Sequence, residues 1–279
     1  MRGAEGFGGQ HRLRTDRLLS LSEDASLVAV GVGEVEVIEG LSAEVRAMAG
    51  QGLIVLEAVV PTQGDGDGSD LVKVTVWGPR TGPSAPHLEA VAALKRCGAD
   101  AATVLLGVDG VLDGERRRAR FVAGNRGVPA ITVGVGTRAA IDAALAEVDG
   151  AASLVTLTAV APNSVIDRLK RHGGEATRVT LVTSEVAGRG PRPVYLELIH
   201  QLRREGAAGA TALRGVWGFR GDGEPHGDRV PALRRDVPML VEVVDSPERA
   251  ARWLELAREL ACEGDVVYAE PIPKAIKSE

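Results

Sequence analysis

Residues 196–218 read LELIHQLRREGAAGATALRGVWG, and residues 88–110 read LEAVAALKRCGADAATVLLGVDG. Aligned without gaps, 12 of these 23 positions are identical, and the shared residues include Gly98, Gly107 and Gly110 of the earlier stretch. A match of this density at constant spacing indicates an internal repeat, and a repeat has to be recognised before any fold is assigned. The chain is therefore interpreted as tandem copies of one unit.

A third copy occupies the start of the chain. Residues 2–24 begin RGAEGFGG, residues 214–236 begin RGVWGFRG, and 9 of these 23 positions are identical, Phe7 and Phe219 among them. We expect three units, at 1–60, 73–160 and 178–273. The first begins inside or just after its own second strand. Either a start codon upstream of Met1 encodes the rest, or that strand and helix are absent, and the sequence leaves both open.

The last unit has the clearest local signals. Residues 178–184, RVTLVTS, alternate as a half-buried strand does. Residues 194–205 carry apolar side chains at helical spacing, and Gly206 is a plausible C-cap. Asp245-Ser246-Pro247-Glu248 is a helix start, since cap residues precede a proline in the first turn. Further strands are predicted at 210–216, 237–244 and 266–268, and a long polar loop at 218–236.

The other two units follow the same plan. In the middle unit we predict strands at 73–77, 102–108, 128–135 and 154–160, with helices at 87–97 and 138–148. In the first unit we predict a strand at Ser26–Val32, a helix near Ser42–Met48 and a strand at Leu53–Val59.

The order strand, helix, strand, loop, strand, helix, strand is the ferredoxin-like βαββαβ plan, so the fold class is α+β. One helical layer covers one face of such a sheet, and the other face remains apolar. We therefore expect the units to associate through that second face.

Composition excludes several classes of protein. The net charge of −5 disfavours general nucleic-acid binding. The two cysteines, Cys97 and Cys262, form no C-x-x-C pair. No apolar run reaches the ~18 residues of a membrane span, and the N-terminus has no apolar signal core. A reducing cytoplasm is the expected location, without direct membrane insertion.

The last unit resembles the PII-like family known as domain of unknown function 190. The resemblance is carried by GAAGATALRGVWGFRGDGEPHGDR at 206–229, DVPMLVEVVDSPER at 236–249 and, in the first unit, HRLRTDRLLSLSED at 11–24. It implies homotrimers of ferredoxin-like subunits that bind adenine nucleotides or other small effectors between subunits, with a loop after the second strand that signals to a partner. Some relatives are associated with fluoride-exporter genes, which suggests a membrane transporter as partner. Three units in one chain suggest that it imitates the trimer by itself, in a pseudo-three-fold arrangement; a higher oligomer stays open.

The resemblance and the repeat together give a set of expected ligand-binding residues. Arg214 and Arg229 are expected to form charge-assisted hydrogen bonds to phosphate, beside a glycine turn whose N–H groups approach an anion. The alternative is a tight turn with each arginine in a structural ion pair. The set comprises Arg2, Gly3, Gly6, Asp16, Arg17, Gly107, Gly110, Arg120, Arg214, Gly215, Gly218, His226, Asp228 and Arg229. The middle unit departs from it, with Leu106 in place of arginine, Val111 in place of phenylalanine and Ala119 in place of aspartate.

Other motifs are weaker. Gly134–Thr137 has the strand–glycine–helix form of a phosphate site, but it lacks the third glycine of a dinucleotide fingerprint and the P-loop lysine, and helix entry alone explains it. The run Gly64–Asp70 lacks the glycine and glutamate of a calcium loop and is expected to be a linker. The five histidines show no metal-ligand spacing. The basic run Arg116–Arg118 is either a solvated loop or a contact for an acidic partner.

Three functions are compatible with these observations. The first is a PII-like sensor of a small anionic effector, with no catalytic residues and no cofactor beyond a possible adenine nucleotide. The second is a structural or interaction module that has lost its ligand. The third, an enzyme on a ferredoxin-like scaffold, is disfavoured because no nucleophile–base or paired-carboxylate constellation stands out.

Overall fold

The computed structural model describes residues 1, 3–8, 14–15, 26–48, 52–59, 71–80, 86–119, 127–148, 154–160, 174–227 and 236–278. The predicted linker at Gly64–Asp70 lies outside these residues. Within them, none of the helices has the length and hydrophobicity that crossing a bilayer requires.

In chain order the elements are β1 (Gly3–Phe7), β2 (Arg14–Thr15), α1 (Val35–Met48), β3 (Gly52–Leu56), β4 (Leu71–Pro79), α2 (Pro86–Arg96), β5 (Ala101–Leu106), β6 (Asp109–Leu112), β7 (Glu115–Arg118), β8 (Pro129–Thr137), α3 (Arg138–Glu147), β9 (Leu154–Ala159), β10 (Ala176–Ser184), α4 (Val194–Arg204), β11 (Ala210–Arg214), β12 (Trp217–Arg220), β13 (His226–Gly227), β14 (Pro238–Asp245), α5 (Pro247–Leu260), β15 (Val266–Ile272) and β16 (Lys274–Ser278).

Local sequence explains where the helices begin and which face they bury. Thr137 caps α3, because its side-chain oxygen accepts the N–H of Ala140 at 3.2 Å. This is the helix entry that the Gly134–Thr137 motif predicts. Pro247 opens α5, where its missing N–H costs no hydrogen bond. The apolar stripe of α4 is buried as its spacing predicts.

The middle and last units have the same strand order. The last unit's sheet runs β15-β10-β14-β11, and the middle unit's sheet runs β9-β4-β8-β5, with antiparallel neighbours. In units numbered from their own first strand, both orders are 4-1-3-2, which is the ferredoxin-like arrangement. The predicted α+β class with tandem ferredoxin-like units is confirmed.

After its second strand, each unit sends a further strand, here called its extension strand, away from its own sheet. The extension strand of the last unit is β12, and it pairs with β5 of the middle unit. The extension strand of the first unit is β1, and it pairs with β11 of the last unit. Gly218 lies opposite Thr103 in one junction and Gly6 lies opposite Thr211 in the other, so the register is equivalent.

The extension strands also connect the hydrophobic cores. Phe219 belongs to the last unit but lies in the core between the middle unit's sheet and its helices. Phe7 belongs to the first unit and lies in the equivalent core of the last unit. A third core forms between the two sheets, where Leu105 and Ile131 of the middle unit meet Leu240 and Tyr268 of the last. The sheet faces without helices therefore bury each other, as expected.

A buried cluster of charges lies where the units meet. Glu270 on β15, with only 1% of its side chain exposed, forms ion pairs with Lys73 on β4 and Arg178 on β10. Glu57, which follows β3, pairs with the same two cations. Burial by itself lowers the pKa of the Arg178 guanidinium, but the nearby carboxylates of Glu242, Glu270 and Glu57 outweigh it, and the pKa lies above its ordinary value. All three units therefore contribute side chains to one ionic cluster.

The first unit departs from its predicted plan. The predicted strand at Ser26–Val32 is wrong, because these residues contain only an isolated bridge at Leu27. The N–H of Gly3 donates to the Ser26 carbonyl at 2.8 Å, and that of Val28 donates to the Met1 carbonyl at 3.0 Å. The backbone at 26–28 is hydrogen-bonded to residues 1–3, at the start of the first unit's extension strand. The described residues contain no first or second strand of that unit to pair with it. The helix is longer than predicted, at 35–48, and the last strand is β3.

The junction between the middle and last units repeats between the last and first. A third junction of this kind would use β6, the middle unit's extension strand. Among the described residues, β6 pairs only with β7. The pseudo-three-fold arrangement therefore stays a prediction, as do the unit boundaries at 1–60, 73–160 and 178–273.

Candidate functional site

The predicted glycine turn lies where the last unit's chain crosses to the middle unit's sheet. The N–H of Gly215 donates to the Pro238 carbonyl at 2.8 Å, and the next N–H, that of Val216, donates to the Val104 carbonyl at 2.9 Å. The first of these hydrogen bonds lies within the last unit, and the second joins the last unit to the middle one. Both N–H groups are already used by protein carbonyls, so anion binding through these two donors would need the turn to open.

Close backbone approach explains why glycine occupies this turn. A Cβ on Gly215 would lie 2.7 Å from the Thr103 methyl group, and one on Gly218 would lie 2.0 Å from the Ala102 carbonyl oxygen. Gly218 also has φ +153°, a conformation that other residues rarely adopt. In the first unit, a Cβ on Gly6 would lie 2.7 Å from the Ala210 carbonyl oxygen.

The remaining predicted glycines are packed in the same way. A Cβ on Gly3 would approach the Thr211 methyl group to 3.0 Å. Gly107 and Gly110 face Pro129, whose atoms would lie 3.2 and 3.0 Å from the added carbons. These contacts give the shared glycines a structural reason that needs no ligand.

Arg214 lies at the base of the loop, and it forms an ion pair with Glu185, whose side chain is 17% exposed. This is the structural alternative that the sequence leaves open. A carboxylate beside the guanidinium competes with any phosphate, so Arg214 is available to an effector only if that pair opens.

His226 lies on β13, near a small polar network. The Ser184 hydroxyl donates to Asp236, and its oxygen accepts the N–H groups of Val186 at 3.1 Å and Ala187 at 3.2 Å. The Nε2 atom of His226 lies 3.9 Å from Asp236. Asp236 therefore connects the end of the 218–236 loop to the end of β10, with His226 of the loop close to it.

A second polar cluster, here called the cationic cluster, consists of Lys95, Arg189 and Arg220. Lys95, at the end of α2, donates to the Gly221 carbonyl at 3.1 Å and lies 5.1 Å from the centroid of the Phe219 ring. Arg220 donates to the Glu263 carbonyl at 2.8 Å. Arg189 donates to the Ala261 carbonyl at 3.1 Å. The cluster brings cations of two units to one edge of the junction.

Asp265 lies within this cluster and is buried. It accepts hydrogen bonds from the Thr183 hydroxyl at 3.0 Å and the Cys262 N–H at 2.9 Å, and it lies 3.0 Å from the Arg220 guanidinium. Burial raises the pKa of the Asp265 carboxyl, and these groups oppose the shift without cancelling it.

We expect the carboxyl of Asp265 to titrate above the ordinary aspartate range, and Arg220→Met to raise its pKa further. Arg220 is one of the groups that lower the pKa, so its removal leaves the burial effect less opposed. Carboxyl-carbon NMR titration of both proteins measures the shift. Arg138→Met, on α3, is the matched control and should leave this pKa unchanged. A pKa at or below the ordinary aspartate value would contradict the burial described.

The raised pKa of Asp265 determines how its contribution to stability changes with pH. Because the folded-state pKa exceeds that of the unfolded chain, the folded protein binds the proton more tightly. The contribution of Asp265 to stability is therefore complete below the unfolded pKa and is lost as the pH rises through the folded pKa.

Several predicted site residues lie outside the described residues, namely Arg2, Asp16, Arg17, Arg120, Asp228 and Arg229. Their roles stay predictions. In the middle unit the basic run forms β7, where Arg116 pairs with Asp109 at 2.7 Å and Arg117 pairs with Glu115. The described part of the chain holds no group of three or more metal-ligating side chains.

No sequence pattern predicted a site role for four residues of this region, which are Lys95, Arg189, Arg220 and Asp265. Each comes from a different segment, and none belongs to a motif repeated in all three units. Arg220 directly follows Phe219, so its place next to a shared residue was the one available signal.

Comparison with known proteins places this fold in a family. Residues 1–60 and 176–272, more than half of the chain, match the model of the family DUF190, described as "Uncharacterized ACR". The chain is also similar to the UPF0166 protein of Aquifex aeolicus (strain VF5), with 31% identity over 75 residues, which are 27% of this chain and 71% of that protein. The two matched segments coincide with the first and last units. The middle unit shares the sequence repeat with both and the strand order with the last unit. The chain belongs to the DUF190 family.

Proposed function

We propose that this chain is a non-catalytic, PII-like regulatory protein of the cytoplasm that binds a small anionic effector between its units. An adenine nucleotide is the first class of effector to consider, because the family resemblance implies it. The proposed site is the junction between the middle and last units, from the cationic cluster to the base of the 218–236 loop. No cofactor takes part in this proposal.

The observation that supports it most is the cationic cluster itself. Lys95 comes from the middle unit, whereas Arg189 and Arg220 come from the last unit. The side chain of Arg220 is 21% exposed, so it is partly desolvated and still reachable. Guanidinium groups bind phosphate oxygens through paired hydrogen bonds, and a lysine adds a point charge. An anion held by both units would strengthen their association.

The same geometry suggests how binding reaches a partner. Gly221, whose carbonyl accepts from Lys95, opens the turn between β12 and β13. An effector that draws Lys95 or Arg220 away from these carbonyls would change the support of the loop. A target protein, for which a membrane transporter is the expected kind, would read that change.

A second candidate function is favoured by one observation. Arg214 already has a carboxylate partner in Glu185, and the turn's N–H groups already bond protein carbonyls. A module whose junction is satisfied by itself needs no ligand to be stable, so a purely interaction-based role stays open.

Calorimetric titration with AMP, ADP, ATP and cyclic nucleotides tests the proposal. We expect at least one to bind, and Lys95→Met and Arg220→Met to weaken it about tenfold or more, because each removes a charged hydrogen bond. Arg214→Ala reports whether the ion pair with Glu185 opens. Arg138→Met is the control, since Arg138 pairs with Asp142 on α3 and is not part of the cationic cluster. Silence from all nucleotides at millimolar concentration would contradict the proposal and favour the interaction module.

A further inference from the structure

The three extension strands differ in one respect that the repeat makes visible. Phe7 and Phe219 occupy equivalent positions and are 3% and 0% exposed, each in the core of the neighbouring unit. The equivalent residue of the middle unit is Val111 on β6, and it is 64% exposed. Two members of the series are therefore buried in a neighbour, and the third is in solvent.

The strand that carries Val111, β6, has one edge that no other described strand pairs with. Among the described residues β6 pairs only with β7. By the rule of the other two junctions, its partner would be the second strand of the first unit, the equivalent of β5 and β11. An unpaired strand edge is a template for another strand.

The described part of the first unit has apolar side chains that the other described residues leave exposed. None of the side chains of α1 is buried, although a helix of this length normally buries one face. Val35 and Val37 are 67% and 65% exposed, and Leu27, which precedes the helix, is 72% exposed. The helix equivalent to α1 in the last unit is α5, which buries Trp253 and Leu254 against its own sheet and helix.

We propose that the edge of β6 and the apolar side chains of α1 and residues 26–33 bind one strand–helix–strand partner of the type formed by residues 71–106 and 176–214. The three segments are grouped by equivalence, because β1, α5 and β14 pack around residues 176–214 in the last unit. Such an element supplies what both observations require. Its second strand pairs with β6, and its helix and first strand cover the apolar residues around α1. The register is fixed by equivalence: a small residue in the position of Thr103 and Thr211 lies opposite Gly110.

A second copy of this chain does not fit the surface in that way. In the part of the chain that the structure describes, the strands of the required kind are β5 and β11, and their outer edges are already paired with β12 and β1. The partner is therefore a further element of the same structural type, and its recognition is by backbone pairing plus an apolar pocket for Val111.

The test tethers the element to the full chain. A copy of residues 176–212 is fused directly before Met1, because residue 213 is equivalent to residue 1. We expect the tethered protein to melt about 5 °C or more above the parent, since new apolar surface is buried. We also expect amide hydrogen exchange at 109–112 to slow at least tenfold, a direct readout of strand pairing. A fusion of the same residues in scrambled order is the control.

Val111→Asp separates pairing at this site from a general effect of the fusion. In the parent the substitution should change the melting temperature by less than about 1 °C, because the side chain is exposed. In the tethered protein it should remove most of the gain. An equal effect in both proteins, or unchanged exchange at 109–112 after fusion, would overturn the proposal. So would sedimentation of the parent as a dimer in which these amides are protected, since a second copy would then occupy the surface.

Discussion

Replacing Glu270 by alanine is expected to destabilise the protein by about 3–5 kcal/mol, the range for removing one partner of a buried ion pair. Glu270 faces both Lys73 and Arg178, and its side chain is 1% exposed. Its loss leaves two cations with only the more exposed Glu57 close to both. The free energy of unfolding, from urea or guanidinium titration, measures the effect.

The control for this prediction is an exposed pair of the same chemistry. Glu147 pairs with Arg96, and both side chains are well exposed, so Glu147→Ala should change the free energy of unfolding far less than Glu270→Ala does. A double variant, Lys73→Met with Glu270→Leu, should cost less than the sum of its single changes, because no unpaired lysine remains. If Glu270→Ala behaves like Glu147→Ala, the units are not held by this cluster.

Phe219→Ala is the second change with a large expected effect, also about 3–5 kcal/mol. Phe219 belongs to the last unit, but its side chain is fully buried in the core of the middle unit. Removal of the ring therefore leaves a cavity in the middle unit. Local amide exchange should therefore accelerate in β4, β5 and α2, which are far from residue 219 in sequence. Exchange measured by mass spectrometry, together with denaturant titration, checks both parts.

The repeat supplies the matched control, since Val111 is the equivalent residue in the middle unit and is exposed. Val111→Ala should change the free energy of unfolding by less than about 0.5 kcal/mol. Destabilisation by Phe219→Ala that stays within the last unit's own elements would contradict the exchange of strands between units.

Local sequence was sufficient for most helices and strands. The stripe of α4, the proline start of α5 and the alternation of β10 depend on neighbours close in the chain, and these elements form where predicted. The predicted half-burial of β10 is wrong, because helices cover one of its faces and the middle unit covers the other. The strand expected at Ser26–Val32 does not form, because a strand needs partners that local pattern does not reveal. Its neighbours in the described residues are Met1 and Gly3 instead.

The extension strands show why the rest was harder to foresee. The predicted polar loop begins at Gly218, yet residues 217–220 form β12 because β5, more than a hundred residues earlier, offers its edge. The shared glycines suggested a phosphate turn, whereas Gly3, Gly6, Gly215 and Gly218 have their closest contacts across a unit junction, and Gly107 and Gly110 pack against Pro129 of their own unit. The cationic cluster unites Lys95 with Arg189 and Arg220 only through tertiary structure.

Cross-strand NOEs between β12 and β5, measured by NMR on the full, unmodified chain, test whether the units exchange their extension strands. We expect NOEs that place Trp217 opposite Val104 and Gly218 opposite Thr103, and an equivalent set that places Gly6 opposite Thr211. Absence of both sets in a folded protein, or pairing of β12 within its own unit's sheet, would contradict this exchange.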